Sequence, residues 1–534
     1  MAKYETERHP LALRPSTAIF NIIISVLGAV IGLQLIVSLG ITANTSIIGA
    51  LLAMVIARIP VGVFNKYRSL HEQNLVQTAI SAATFGAANS LMIPIGIPFV
   101  MGTPELVIPM LIGAALAMVA DATILYKLFD SKIFPAKSTW PPGIATAEAL
   151  YAGDQGGKRA GLLGIGTVLG LIGSYLGISM SAFGVAFIGN IWALTMFGVG
   201  LLLRGYSKPI FGFDINTLYV PHGFMIGAGI VALVQVIIVM RKKQNSESLN
   251  KQDEELFAGL TRSEKDISQG FGYGFLAYLA IALVIALSAG IITKMSLGML
   301  VIYLLFAAFA AFVHEIIVGI SAMHSGWFPA FAVALITLII GMLIGFPPVA
   351  LALMVGFSAA TGPAFADMGY DLKTGYILRG KGSDLAFEKE GRKQQYLTSM
   401  LGFIVAIFVV LVAYKGYFAA NLVPPVDRVY VATIKAGASA EVAKNLFLWA
   451  IPGAILQFVG GPSRQMGILF ATGLLILNPK AGWAVIVGIL IRAVVLKIKG
   501  ESAESPMSIM AAGFITGDAL YSFFNSVFKM GFKK

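Results

Sequence analysis

The sequence predicts an all-α polytopic membrane protein made of two similar halves, with broken or re-entrant segments. Three observations carry this. Hydrophobic residues make up 57% of the 534-residue chain and charged residues only 12%, against roughly 25% in soluble domains, and the mean hydropathy is +0.84. The apolar residues fall in long runs without period-two alternation, which reads as helices and not barrel strands. Several short motifs recur in the same order in the two halves. A soluble globule of this composition has too little charge to dress its surface, and disorder needs low hydrophobicity.

The elements follow in order. Met1–Ser16 is a polar tail of mixed charge. The apolar run after it, residues 17–40, exceeds the roughly 7–15 residues of a signal h-region and reads as a retained first span. Further apolar segments lie near 45–63, 74–93, 106–129, 160–181, 183–203, 217–240, 271–293, 296–320, 327–346, 348–366, 396–415, 444–461, 464–478, 481–497 and 506–530. With about 20 residues needed to cross the hydrocarbon, several are short. Three stretches are too broken for plain spans: 94–109 with its prolines, 140–153 (WPPGIATAEALYAG), and 421–437 around Pro424-Pro425. Irregular backbone at membrane depth must be buried in protein or line a watery cavity. The alternative for each is a surface loop.

Two stretches read as long polar loops, 241–270 and 367–395. Arg241-Lys242-Lys243 directly follows a span and marks a cytoplasmic end. The tail KMGFKK suggests the same for the C-terminus, so both termini are expected in the cytoplasm, in a prokaryotic inner membrane. The net charge of +12 then reflects basic cytoplasmic loops and no nucleic-acid partner. With no cysteine there is no disulfide, thiolate site or iron–sulfur cluster. Glycine, 59 residues, is about 11% against a usual ~7%, which points to close helix contacts and broken helices.

The duplication shows as SAATFGA from Ser81 and SAATGPA from Ser358, and as PPGIATAEALYAG from Pro141 and PPVDRVYVATIKAG from Pro424. Two further echoes in the same order join the runs from Leu218 and Leu475, and the pairs Gly274-Phe275 and Gly513-Phe514. The expected division is a tail, 1–16, a first repeat, 17–293, and a second, 294–534. Such repeats are typical of secondary transporters, with the site at the repeat interface.

Four pieces carry a family resemblance: Asn74-Leu-Val-Gln77-Thr78 with Ser81-Ala82; PPGIATAEAL, Pro141 to Leu150; Asp371-Leu-Lys373-Thr374-Gly375-Tyr376 followed by Gln394-Gln395; and GFITGDAL, Gly513 to Leu520. With these the chain resembles the oligopeptide transporter (OPT) family, which includes the yellow-stripe-like metal-chelate transporters. The resemblance implies about 14–16 transmembrane helices, proton-coupled symport, and small peptides or metal chelates as cargo. Trp140-Pro141-Pro142 departs from the family's more usual Phe-Pro-Ser, and the region His314 to Pro329 lacks an expected arginine.

Ionisable and amide groups in apolar runs are costly and need partners or water. Glu148, in the broken segment after Pro141, is the leading proton carrier; the alternative is a helix-end carboxylate meeting Lys158 or Arg159. Thr146 would share its cavity. Asn74, Gln77 and Thr78 share one helix face and offer donors and acceptors to a peptide-like cargo, or else bond neighbouring helices. Gln394 and Gln395 open the next span and join them as cargo-binding candidates. Asp367, Asp371 and Lys373 read as a gate or coupling group where a span leaves the membrane, or as a solvated loop end. Asp121 lies deep in its apolar run, with Arg58 as a candidate partner. His222, Glu315 and Asp518 complete the proton-coupling set; His314 and His324 share the stretch of Glu315. No H-x3-H or HExxH spacing exists, so no protein-held metal is expected. No cofactor is called for, and no Walker A, GxSxG or Rossmann motif indicates an enzyme. The reading is a proton-coupled symporter working by alternating access, its partners a lipid bilayer, protons and a small peptide or chelated metal. A homo-oligomer is compatible with the sequence. An intramembrane enzyme and a passive channel are the alternatives.

Overall fold

A computed structural model of the chain describes residues 8–39, 49–50, 66–241, 257, 259–326, 328–437 and 439–531. The expected span near 45–63, Arg58 within it, and most of the 241–270 loop lie outside the described residues. Helix dominates as the composition demands; the only β feature among the described residues is an isolated bridge, Phe129 to Phe134.

The first series of helices is α1 (Pro15–Leu39), α2 (Leu70–Phe85), a π-helical turn (Gly86–Met92), α3 (Ile93–Met101), α4 (Val107–Leu128), α5 (Pro141–Gln155), α6 (Gly157–Tyr175), α7 (Met180–Ile188), α8 (Ile191–Phe211) and α9 (Val220–Arg241). Helix α10 (Glu264–Ser288) follows. The second series is α11 (Leu297–Ser325), α12 (Ala330–Ile344), α13 (Pro348–Ala360), α14 (Pro363–Leu378), α15 (Leu385–Ala419), α16 (Pro425–Ala436), α17 (Ala440–Arg464), α18 (Met466–Leu475), α19 (Pro479–Lys499) and α20 (Glu504–Gly531). Nine helices among the described residues are long and apolar enough to cross a bilayer, including the composite rods Leu70–Met101 and Pro348–Leu378. The chain is a multi-pass membrane protein.

Local chemistry sets the boundaries. Proline opens α5, α13, α14, α16 and α19, where its missing N–H costs nothing and its fixed φ suits the first turn. Ser263 and Asp266 form a reciprocal capping box at the start of α10. Asp384 caps the first turn of α15 through Ala386 and Phe387 N–H.

The two series match helix for helix. Each has a composite rod, then a long helix, then a short helix opened by a double proline, then a long, a short and two further long helices. The match pairs α8 with α19 and α9 with α20. It therefore corrects the two further echoes: the Leu218 and Leu475 runs, and the Gly274 and Gly513 pairs, fall on non-equivalent helices, because apolar sequence matches itself readily. The repeats are inverted. Gln77 bonds Asp371 while Ser81 bonds Asp367, so the rods α2–α3 and α13–α14 run antiparallel. Gly198 faces Val485 and Ile486 while Gly205 faces Pro479, so α8 and α19 do too. Inverted repeats are a transporter architecture.

The helices pack into two bundles, and each draws on both repeats. One contains α1–α4 and α10–α15, with α5 and α16 beside it; the other contains α6–α9 and α17–α20. In the second bundle, a Cβ at Gly166 would stand 2.6 Å from the Met510 carbonyl, and one at Gly170 would stand 2.7 Å from that of Phe514. Only hydrogen fits there, so α6 and α20 meet backbone to backbone.

The stretch 367–395, expected as a polar loop, is mostly helix: the buried end of α14, a short turn, and the first three turns of α15. Its charges pair with each other and with neighbouring loops, which makes burial affordable.

Candidate transport site

The site is built around the rod α13–α14. It breaks at Thr361-Gly362, where Gly362 takes φ +97° and Pro363 restarts the helix. At the matching place the rod α2–α3 bulges into the π-helical turn, another common device at functional sites. Every residue of α14 is buried.

Asp121 of α4 reaches the break: its Oδ2 accepts the Gly362 N–H at 2.5 Å. The Tyr278 hydroxyl of α10 lies 2.6 Å from Asp121 Oδ1 and 2.9 Å from Glu315 Oε2. All three side chains are buried. A tyrosine hydroxyl carries one hydrogen. Donated to Asp121, it leaves the Glu315 contact a hydrogen bond only when Glu315 itself is protonated and donates to the tyrosine oxygen. Glu315 Oε1 is buried and without a partner among the described residues, which also suits a neutral acid, since an unpaired buried carboxylate is far more costly. Next to it, His314 Nδ1 lies 3.0 Å from Ser358 Oγ, one turn before the break.

Below the break, α14 carries a closed polar seam. Ser81 donates to Asp367 and Gln77 to Asp371, both at 2.5 Å, and Asn74 donates to Gln77 at 3.0 Å. Gln395 Nε2 donates to the Asp371 carbonyl and to Thr78 Oγ1. On the opposite face Lys373 donates to the Ala136 carbonyl and Thr374 to that of Gly143, in α5. Lys373 and Asp371 thus point apart and are not the ion pair a gate was expected to use.

The seam ends in an ionic cluster that motif reading missed. Arg379 and Arg392 both bond Glu388, at 2.8 and 2.7 Å, with side-chain exposures of 0%, 3% and 0% respectively. Arg392 also bonds Asp130 at 3.0 Å, which accepts from Thr261. Burial alone would raise the Asp130 carboxyl; the Arg392 guanidinium, Thr261 and the Ala136 N–H outweigh it and hold it below the usual range. The available signal was the i,i+4 spacing of Glu388 and Arg392. The N-terminal segment docks here: Ala12 N–H donates to Gln394 Oε1 at 2.7 Å, and His9 stacks near His71 and Phe387.

At the other end of α14, a cavity of about 390 Å³ lies where the irregular segments meet, its wall including Asn89, Ile93, Phe328, Phe331, Pro363 and Pro424. It is mostly apolar. At about 1.5 Å per residue, the length of α14 puts roughly 24 Å between it and the ionic cluster. Beside it, Asp427 of α16 is fully buried against Gly96, with neither carboxylate oxygen bonded.

The remaining expected residues lie elsewhere. Glu148 is clasped by Arg159 through three bonds of 2.7–2.9 Å, and Thr146 bonds the Pro142 carbonyl in its own helix; neither lines the cavity. Gln394 and Gln395 sit about three turns inside α15, not at its start. His222 is buried in α9 near Tyr219. His324 lies in the last turn of α11. Asp518 bonds Ser174 and the Ser181 N–H and so caps α7. Among the described residues no three His, Asp or Glu groups could hold a metal.

The OPT oligopeptide transporter family model matches residues 17–240 and again 230–529. The chain belongs to the OPT oligopeptide transporter family. The two matches coincide with the two structural repeats, with α10 falling inside the second. No curated protein matches the chain. Membership implies transport of oligopeptides across a bilayer.

Proposed function

We propose that this OPT protein is a proton-coupled symporter of small peptides or peptide-like metal chelates that works by alternating access. The observation that carries the reading is the Asp121–Tyr278–Glu315 node. It grips the backbone of the break at Gly362, and Pro363, one residue on, forms part of the cavity wall. Loss of the Glu315 proton would put two carboxylates on one hydroxyl and weaken the hold on Gly362. A change at the cavity and a change in protonation are thereby tied to one backbone segment, which is what coupling requires. The apolar cavity suits a cargo side chain. The seam residues Asn74, Gln77, Thr78, Asp367, Asp371 and Gln395 offer amides and carboxylates to a peptide backbone once they part. The described conformer is the one with the cavity formed and the seam shut.

We propose that the end bearing Arg379, Arg392, Lys132 and Arg262 faces the cytoplasm, as its basic residues favour, and that the N-terminal segment docked there lies on the cytoplasmic side of a prokaryotic inner membrane. Proteoliposome uptake of a di- and tripeptide panel and of iron chelates, with and without an inward acid gradient, tests the proposal. Glu315→Gln should lose gradient-driven accumulation and keep counterflow. Glu148→Gln, whose partner is Arg159, should keep both. Undiminished acid-driven uptake in Glu315→Gln would overturn the assignment.

A further inference from the structure

The inverted repeats allow the opposite access state to be located residue by residue. With the double prolines aligned, Val426, Val429 and Tyr430 of the cavity wall match Gly143, Thr146 and Ala147. With the SAAT motifs aligned, Ile93 of that wall matches Tyr370. The matching place lies beside α14, at Gly143, Thr146, Ala147 and Tyr370. It is filled by the indole of Trp140, which packs edge-on against Tyr370 at 6.0 Å between ring centroids and so closely on Gly369 that a Cβ there would overlap the ring. The residue matching Trp140 in the second repeat is Val423, a much smaller side chain.

Two features show that the indole is held there at a cost. Trp140 has φ +42°, a left-handed conformation unusual for a bulky side chain, and such strain collects at switching sites. Its ring N–H is fully buried with no acceptor among the described residues, whereas a buried tryptophan N–H ordinarily finds one. The flanking backbone is nonetheless tied down, through Trp140 N–H to the Met323 carbonyl at 2.8 Å. The ring itself is held by packing against Phe129, Phe134 and Tyr370.

We infer that Trp140 is the plug of a second cargo chamber, the inverted-repeat counterpart of the cavity, and that the chamber opens toward the arginine-rich end when the indole swings out. Its walls would be Thr146, Tyr370 and Lys373. They present a hydroxyl, a phenol and an ammonium, and so suit the carboxylate end of a peptide or chelate. This rests on the alternating-access reading proposed above.

The chain has no cysteine, so single introduced cysteines report access cleanly. Val429→Cys samples the existing cavity and Thr146→Cys its counterpart. A membrane-impermeant maleimide, offered from each side of oriented proteoliposomes, should label Val429→Cys from the cavity side and leave Thr146→Cys protected. Adding Trp140→Gly, which keeps a left-handed backbone without strain, should raise Thr146→Cys labelling from the arginine-rich side by at least about tenfold and slow Val429→Cys, a bias of about 1.4 kcal/mol. Trp140→Phe should keep most of the protection. If Trp140→Gly does not fold, Trp140→Asn, which also tolerates the left-handed region, serves with the same outcomes. Under an acid gradient in the Trp140 background, the two rates should move in opposite directions. If they do, and Thr146→Cys ignores residue 140, the plug is refuted and alternating access stands. If they never move oppositely, alternating access itself fails.

Discussion

Glu388 sits between two guanidinium groups with no exposed surface, and replacing it by glutamine removes the only charge that both share. Glu388 Oε1 and Oε2 receive Arg379 at 3.2 and 2.8 Å and Arg392 at 2.7 Å. Glu388→Gln leaves Arg379 with Gln395 and Arg392 with Asp130 and Thr261. Breaking a buried pair by removing one partner costs about 3–5 kcal/mol. If the cluster exists only while the arginine-rich end is shut, that cost falls on one conformer. A bias of about 3 kcal/mol then shifts the equilibrium between conformers by roughly 150-fold. Labelling of Val429→Cys should slow and that of Thr146→Cys should quicken, together with a lower Tm. A lower Tm with both labelling rates unchanged would show that the cluster is a staple common to both conformers, and would refute its role as a gate.

Two further expectations follow from packing and charge. Gly170→Ala places a methyl 2.7 Å from the Phe514 carbonyl oxygen and 3.1 Å from Gly517 Cα; forcing α6 from α20 should cost about 1–3 kcal/mol, and an unchanged Tm would count against backbone-to-backbone contact there. Burial, with Arg379 nearby, pushes the His9 imidazole down to about 3 from 6.5. The folded state therefore holds fewer protons than the unfolded one, so the docking it supports is full above pH 6.5 and declines as pH falls below it. Limited tryptic cleavage after Arg8, next to His9, should accelerate between pH 7.5 and 5.5, and His9→Phe should flatten that profile.

Much of this was legible in the sequence because the cost of burying polar groups is written into composition. Asp121 and Glu315 stand out as acids inside apolar runs, and the spacing of Asn74, Gln77 and Thr78 puts them on one face. Their partners were not legible. Tyr278 and Gly362 are distant in the chain, and periodicity encodes which face is polar without saying what it meets. Arg58, the candidate partner for Asp121, lies outside the described residues; among those described, Asp121 meets a phenol and a backbone N–H. The density of charge in 367–395 suggested solvent, whereas Arg379, Glu388 and Arg392 neutralise one another. Glu148 stood out by its place in a motif, and the structure pairs it with Arg159, eleven residues on, the partner that its alternative reading had named.

Proton exchange on cargo binding decides most directly whether the Asp121–Tyr278–Glu315 node couples protons to transport. Calorimetry of a transported peptide, in buffers of different ionisation enthalpy, reads the protons taken up or released by the purified protein. The wild-type chain should exchange a clear fraction of one proton per peptide, and Glu315→Gln should bind the same peptide with that exchange abolished. Equal proton exchange in the two proteins would contradict the coupling role assigned to Glu315.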